Sequence, residues 1–149
     1  MTNLDQQFMR EALEEALRAE EEVPVGAVIV QGTEIVGRGR NSMIRLQDPT
    51  AHAEILALRD AARRLSNYRL LGCTLYVTME PCAMCAGAAV LARLERLVYG
   101  CADPKGGAVR TLFRIADDAR LNHQVEIEGG ILEPECAASV QEFFRKKRG

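Results

Sequence analysis

Two short segments, His52-Ala53-Glu54 and Pro81-Cys82-Ala83-Met84-Cys85, restrict this chain more than anything else in it. One imidazole and two thiolates are ligands that zinc prefers, and a carboxylate stands two residues from the imidazole. Structural zinc sites usually close with four protein ligands, whereas catalytic ones keep the fourth position for water. His52, Cys82 and Cys85 are therefore expected to hold zinc, with Glu54 as the neighbouring base. Any fold the chain adopts has to bring the two segments together.

The spacing supports this. Cys82 and Cys85 stand at i and i+3, which puts both sulfurs on one face of a first helical turn. Free N–H groups and the positive end of the helix dipole favour anionic sulfur there. His52 is expected just inside the start of a second helix, so two helix N-termini converge on one ion. Glu54, at i+2 from His52, points away from the ligand and towards the open coordination position. There it can take a proton from water and deliver it to a substrate. The competing view makes the cysteines small buried apolar residues and Glu54 a helix-start carboxylate. The conjunction of His-x-Glu with Pro-Cys-x-x-Cys, at two predicted helix starts, favours the metal.

The 149 residues fit one domain, 1–149, with room for a core that needs no disulfides. Five cysteines, an odd count, argue against a disulfide framework and for a reducing cytoplasm. No apolar run reaches membrane-spanning length, and the first residues lack the basic and apolar regions of a signal peptide. A membrane partner is not expected. Net charge is −2, but it is unevenly placed. Residues 1–22 hold seven acidic and two basic side chains, and the rest hold seventeen basic and fourteen acidic, ending in Arg145-Lys146-Lys147-Arg148. Such a distribution permits a nucleic-acid partner without demanding one.

Helical periodicity predicts an amphipathic helix from Leu4 to Glu22, ended by Val23-Pro24. Strands are expected at Val25–Val30, Glu34–Arg40, Cys73–Met79, Leu97–Tyr99 and Val125–Glu128. Thr50 is a reasonable N-cap for a helix over Ala51–Leu65. The run Ala83–Leu94 is so apolar that it should be fully buried or covered by another subunit. Cys136, Val140, Phe143 and Phe144 mark the stripe of a last helix. The order αββαβαβ(α)βα, with an optional helix before the fifth strand, gives a sheet covered on both faces, an α/β fold. Gly37-Arg38-Gly39 lacks a following helix and is too weak to suggest dinucleotide binding.

His-x-Glu followed by Pro-Cys-x-x-Cys is the signature of zinc nucleobase deaminases. The likeness extends through Val23–Val28, Asp48–Glu54, Asn67–Leu70, Thr74–Cys82, Asp103–Gly107, Asn122-His123 and Glu135–Phe144, nearly the whole chain. In these segments it resembles the bacterial tRNA-specific adenosine deaminases, within the cytidine and deoxycytidylate deaminase superfamily. The segments after Tyr99 favour that family over its relatives. The resemblance implies a cytidine-deaminase-like three-layer α/β/α sandwich with a mixed five-stranded sheet, a homodimer, and conversion of the wobble adenosine of an arginine tRNA to inosine. It makes the anticodon stem-loop the partner and Zn2+ the cofactor. It also implies substrate contacts for Asn41, the Ala53 backbone amide, Asp103, Lys105 and Phe144. Arg110-Thr111 departs from the family, which usually carries small residues there near a Ser-Leu pair.

Several features stay open. Asp103 and Lys105 fit a solvated Pro-Gly turn as well as an RNA contact. Phe143 and Phe144 fit either the core or an aromatic edge for bases. The terminal basic cluster serves either phosphate or the helix dipole. His123 reads as a structural hydrogen-bonding residue, and Cys73, Cys101 and Cys136 as buried thiols. Two other functions share the motif: a deaminase of free bases or nucleosides such as guanine or cytidine, and a non-catalytic RNA-binding or structural zinc subunit. The second would show a fourth protein ligand, such as Cys101 or His123.

Overall fold

Alternation along the strands decides the architecture. In the computed structural model, which describes residues 2–148, five strands form one sheet: β1 (Gly26–Gln31), β2 (Glu34–Arg40), β3 (Cys73–Met79), β4 (Arg96–Cys101) and β5 (Glu126–Gly129). Their order is β2-β1-β3-β4-β5. β1 pairs antiparallel with β2 and β3, whereas β3–β4 and β4–β5 are parallel, so the sheet is mixed. Val28, Val30, Tyr76 and Val98 face one side and pack with Phe8, Met9, Ala12 and Cys136. Ala27, Ile29, Leu75, Val77 and Leu97 face the other and pack with Ala53, Ala57, Ala61, Ala86 and Ala89. The helices α1 (Asn3–Leu17) and α5 (Glu133–Arg148) thus cover one face; α3 (Ala53–Leu65) and α4 (Ala83–Leu91) cover the other. The expected three-layer sandwich is present.

Its element boundaries differ from expectation in instructive ways. α1 stops at Leu17 rather than Glu22. Three consecutive glutamates would have crowded the negative end of its dipole. Glu22 instead turns inwards and accepts hydrogen bonds from the amides of Ile44 and Arg45, both 2.9 Å from Oε2. Those amides open a single turn, α2 (Met43–Leu46), in the stretch expected to be loop. α3 begins at Ala53 with His52 as its N-cap. Thr50 does not cap it: its amide and hydroxyl both donate to Asp48 Oδ1, closing a local turn.

α4 ends at Leu91, three residues early, and is not fully buried, since Leu91 is 74% exposed. The optional helix between β4 and β5 does not form. Residues 102–125 run as turns, anchored where His123 Nε2 meets the Leu94 carbonyl at 2.6 Å. A parallel pair is ordinarily bridged by a helix; here side-chain anchors hold the crossover instead.

Candidate active site

Both segments that carry the candidate metal ligands begin helices, and their caps free the side chains. His52 and Cys82 are the N-cap residues of α3 and α4, in extended backbone with ψ of 153° and 179°. Neither side chain makes the capping hydrogen bond of an ordinary N-cap. Each instead projects into the gap between the two helix starts. Cys85, one turn into α4, closes the group from below and is fully buried.

His52 Nδ1 lies 3.6 Å from Cys82 Sγ and 3.6 Å from Cys85 Sγ. Zn–N near 2.1 Å and Zn–S near 2.3 Å at a tetrahedral angle would set N and S about 3.6 Å apart. The donor set and its spacing therefore fit zinc. Among the described residues this group of metal-ligating side chains has three members. His123 is bonded to the Leu94 carbonyl, and the Cys101 thiol donates to the Thr78 carbonyl, so both are engaged elsewhere. That removes the two side chains that could have marked a closed, structural site.

The protons are already unevenly held. Hydrogen bonds from Cys85 and then His52 hold the Cys82 thiol down at about 3, while sharing a proton with Cys82 pushes Cys85 far up. The His52 imidazole is raised in turn, chiefly by Cys82. Glu54, in the first turn of α3, is buried, and that burial pushes its carboxyl up to about 7 against the pull of the local backbone and of His52.

A cavity of about 550 Å³ opens over this group. His52, Glu54 and Cys82 form its floor, Asn41 and Met43 one wall, and Asp103, Lys105 and Phe144 its rim. Phe144 is 43% exposed and meets Phe143 edge-on at 5.3 Å. Ala53 is not part of the lining: it is fully buried, and its amide donates to Asn41 Oδ1 at 3.0 Å. Asn41 also donates from Nδ2 to the Val23 carbonyl at 2.9 Å. Its side chain thus ties the start of α3 to the segment that leads into β1, as well as facing the cavity.

Residues 2–101 match the cytidine and deoxycytidylate deaminase zinc-binding region. The chain belongs to that deaminase family. Within it, the chain is 49% identical to the tRNA-specific adenosine deaminase of Haemophilus influenzae, across 99% of this chain and 87% of that protein. It is 49% identical to the enzyme of the same description from Bacillus subtilis, across 97% and 91%. A solved structure from work on A-to-I editing by tRNA:A34 deaminases superposes with a TM-score of 0.85 at 45% identity, covering 89% of this chain and 98% of that one. A guanine deaminase from Bacillus subtilis is more distant, with a TM-score of 0.63 at 38% identity over 68% and 66%.

One contributor to the site had no signal in the metal motif. Glu80, two residues before Cys82, also lines the cavity and is buried at 3% exposure.

Proposed function

We propose that this chain is a single-domain, zinc-dependent hydrolase that converts adenosine to inosine at the wobble position of a tRNA anticodon, an arginine tRNA in particular. The observation that carries the reading is the cavity itself. Its floor offers a metal triad beside a buried carboxyl, and its rim offers a cation, an acid and an exposed phenyl ring. Zinc, when bound by His52, Cys82 and Cys85, makes water acidic enough to act as a nucleophile near neutral pH.

The remaining work belongs to the chain. Glu54 holds a proton that it can exchange near neutrality, takes one from water, and delivers protons to N1 and to the departing amine of adenine. The C6–N bond breaks, a C–O bond replaces it, and adenosine plus water gives inosine plus ammonia. Asn41 faces the base, and Asp103, Lys105 and Phe144 face the sugar, phosphate and neighbouring bases. C6 cannot be reached inside a base stack, so an unpaired anticodon loop is the least costly donor of the nucleotide. Arg145, Lys146, Lys147 and Arg148 continue the helix past Phe144 and suit the phosphates of the stem.

The chain is expected to act in the cytoplasm, in keeping with five free thiols. We also propose a homodimer through the groove between α3 and α4. It is lined by Ile55, Leu58, Tyr68, Leu70 and Leu91, with Tyr68 and Leu91 each 74% exposed. Light scattering should give twice the chain mass, and a monomer removes this part.

The test of function pairs two substrates. Zinc-loaded protein is incubated with an arginine-tRNA anticodon hairpin, and separately with adenosine, cytidine and guanine. Inosine in the hairpin, reduced at least about a thousandfold in Glu54→Gln with zinc retained, is the expected result. Turnover of the free compounds alone would favour the guanine-deaminase-like alternative.

A further inference from the structure

Glu80 is a buried carboxylate that makes no ion pair among the described residues, and its charge is met by five donors. Oε1 accepts from the Asp103 amide at 3.1 Å and the Thr111 hydroxyl at 2.5 Å. Oε2 accepts from the amides of Val109, Arg110 and Thr111 at 3.1, 2.8 and 2.9 Å. An ionised carboxylate has about four lone-pair sites, so this one is saturated. All five donors come from the crossover 102–125, between 23 and 31 positions away in sequence.

The loop is shaped around the group. A Cβ on Gly107 would meet Glu80 Cδ at 2.4 Å, so only glycine lets the chain pass there. The Ala108 amide donates to the Pro81 carbonyl at 2.8 Å, adding a sixth tie beside Cys82. Asp103 Oδ1 in turn accepts from the amides of Lys105 and Gly106, at 3.0 and 3.2 Å. Thus the rim residues Asp103 and Lys105 hang from Oε1 of Glu80 through a short chain of hydrogen bonds. Among the described residues, Thr111 supplies the one side-chain donor to the group.

We infer that Glu80 is a positioning residue for substrate: its buried carboxylate clamps the 103–111 loop to the metal-bearing strand end and so holds Asp103 and Lys105 at the cavity rim. The inference rests on the RNA-deaminase reading for what the rim recognises. The clamp itself stands on the hydrogen bonds.

The two oxygens make the test selective. In Glu80→Gln the remaining oxygen best serves the three amides at the Oε2 position. The new NH2 then falls at Oε1, where it can donate to the Thr111 hydroxyl but opposes the Asp103 N–H. The substitution should release the Asp103 end and keep the 109–111 end. Amide hydrogen exchange on the zinc-loaded protein should therefore quicken at Asp103 by about tenfold or more, with 109–111 changed by less than about threefold. On the hairpin, KM should rise about tenfold while kcat moves little, and zinc content should stay at the level of the unsubstituted protein.

Thr111→Val, a milder change, should raise KM by about threefold, and Thr111→Ser should restore it. Unchanged Asp103 exchange would overturn the clamp. A freed Asp103 with unaltered KM would overturn its service to substrate. Loss of kcat together with zinc would reduce Glu80 to a support for Cys82 and also overturn the inference. Should the unsubstituted protein make no inosine in the hairpin, the functional reading fails. The substrate role of Glu80 fails with it, and the exchange data still decide the clamp.

Discussion

Asp5 joins α1 to the sheet through one carboxylate. Its Oδ1 accepts from Tyr76 Oη at 2.7 Å and Arg96 Nη1 at 2.8 Å, and its Oδ2 from Arg96 Nη2 at 2.9 Å. The bidentate Arg96 contact, against the cost of burial, holds the Asp5 carboxyl at about 2, below its usual 3.8. A depressed carboxylate adds stability that is present above pH 4 and lost as pH falls from about 4 to about 2. By linkage that share is about 2 kcal/mol. Asp5→Asn should therefore cost at least that much in urea unfolding at pH 7, with the gap narrowing by about the same amount near pH 2. An equal gap at both pH values would show that the ionised pair adds nothing. The difference between what was legible and what was not is sharpest among such single residues. The grouping of His52, Cys82, Cys85 and Glu54 could be read from chemistry and local spacing. The Asn41–Ala53 bond and the five donors of Glu80 could not, because their partners lie far along the chain and nothing local marks them.

Among the elements, two glycines in β2 explain how α3 reaches the site. A Cβ on Gly37 would meet the Ala57 carbonyl oxygen at 2.5 Å, and one on Gly39 the Ala53 carbonyl oxygen at 2.2 Å. The spacing that resembled a weak nucleotide motif is a bare stripe on which α3 rests its alanines. Ala53 lies next to His52, so Gly39 sets the height of the metal-bearing turn above the sheet. Gly39→Ala should destabilise the protein by about 2–3 kcal/mol, because backbone rather than a flexible side chain must yield. It should also weaken zinc binding in a chelator competition. Unaltered zinc affinity would separate the packing from the site. Strands and long helices were foreseeable from periodicity, apart from their ends. The end of α1, the α2 turn and the missing crossover helix depended on where Glu22 and Glu80 found donors, which is a matter of tertiary contact.

At the scale of the whole molecule, the ion would tie the starts of α3 and α4 together above the C-terminal end of β3. Zinc binding is then part of folding. Removing zinc with a chelator should lower the melting temperature by on the order of 10 °C, and adding zinc back should restore it. An unchanged melt would confine the metal to chemistry. The amino-acid sequence by itself determined the layer pattern and the family, and pointed to the grouping of His52, Cys82 and Cys85 beside Glu54, because alternation, helix starts and donor chemistry are local properties. Only the tertiary structure decided that the rim of the cavity hangs from Glu80, that Asn41 fastens Ala53, and that α4 keeps Leu91 in the open. Each of these depends on groups meeting across many intervening residues, where burial leaves a polar atom no water and the fold alone chooses its partner.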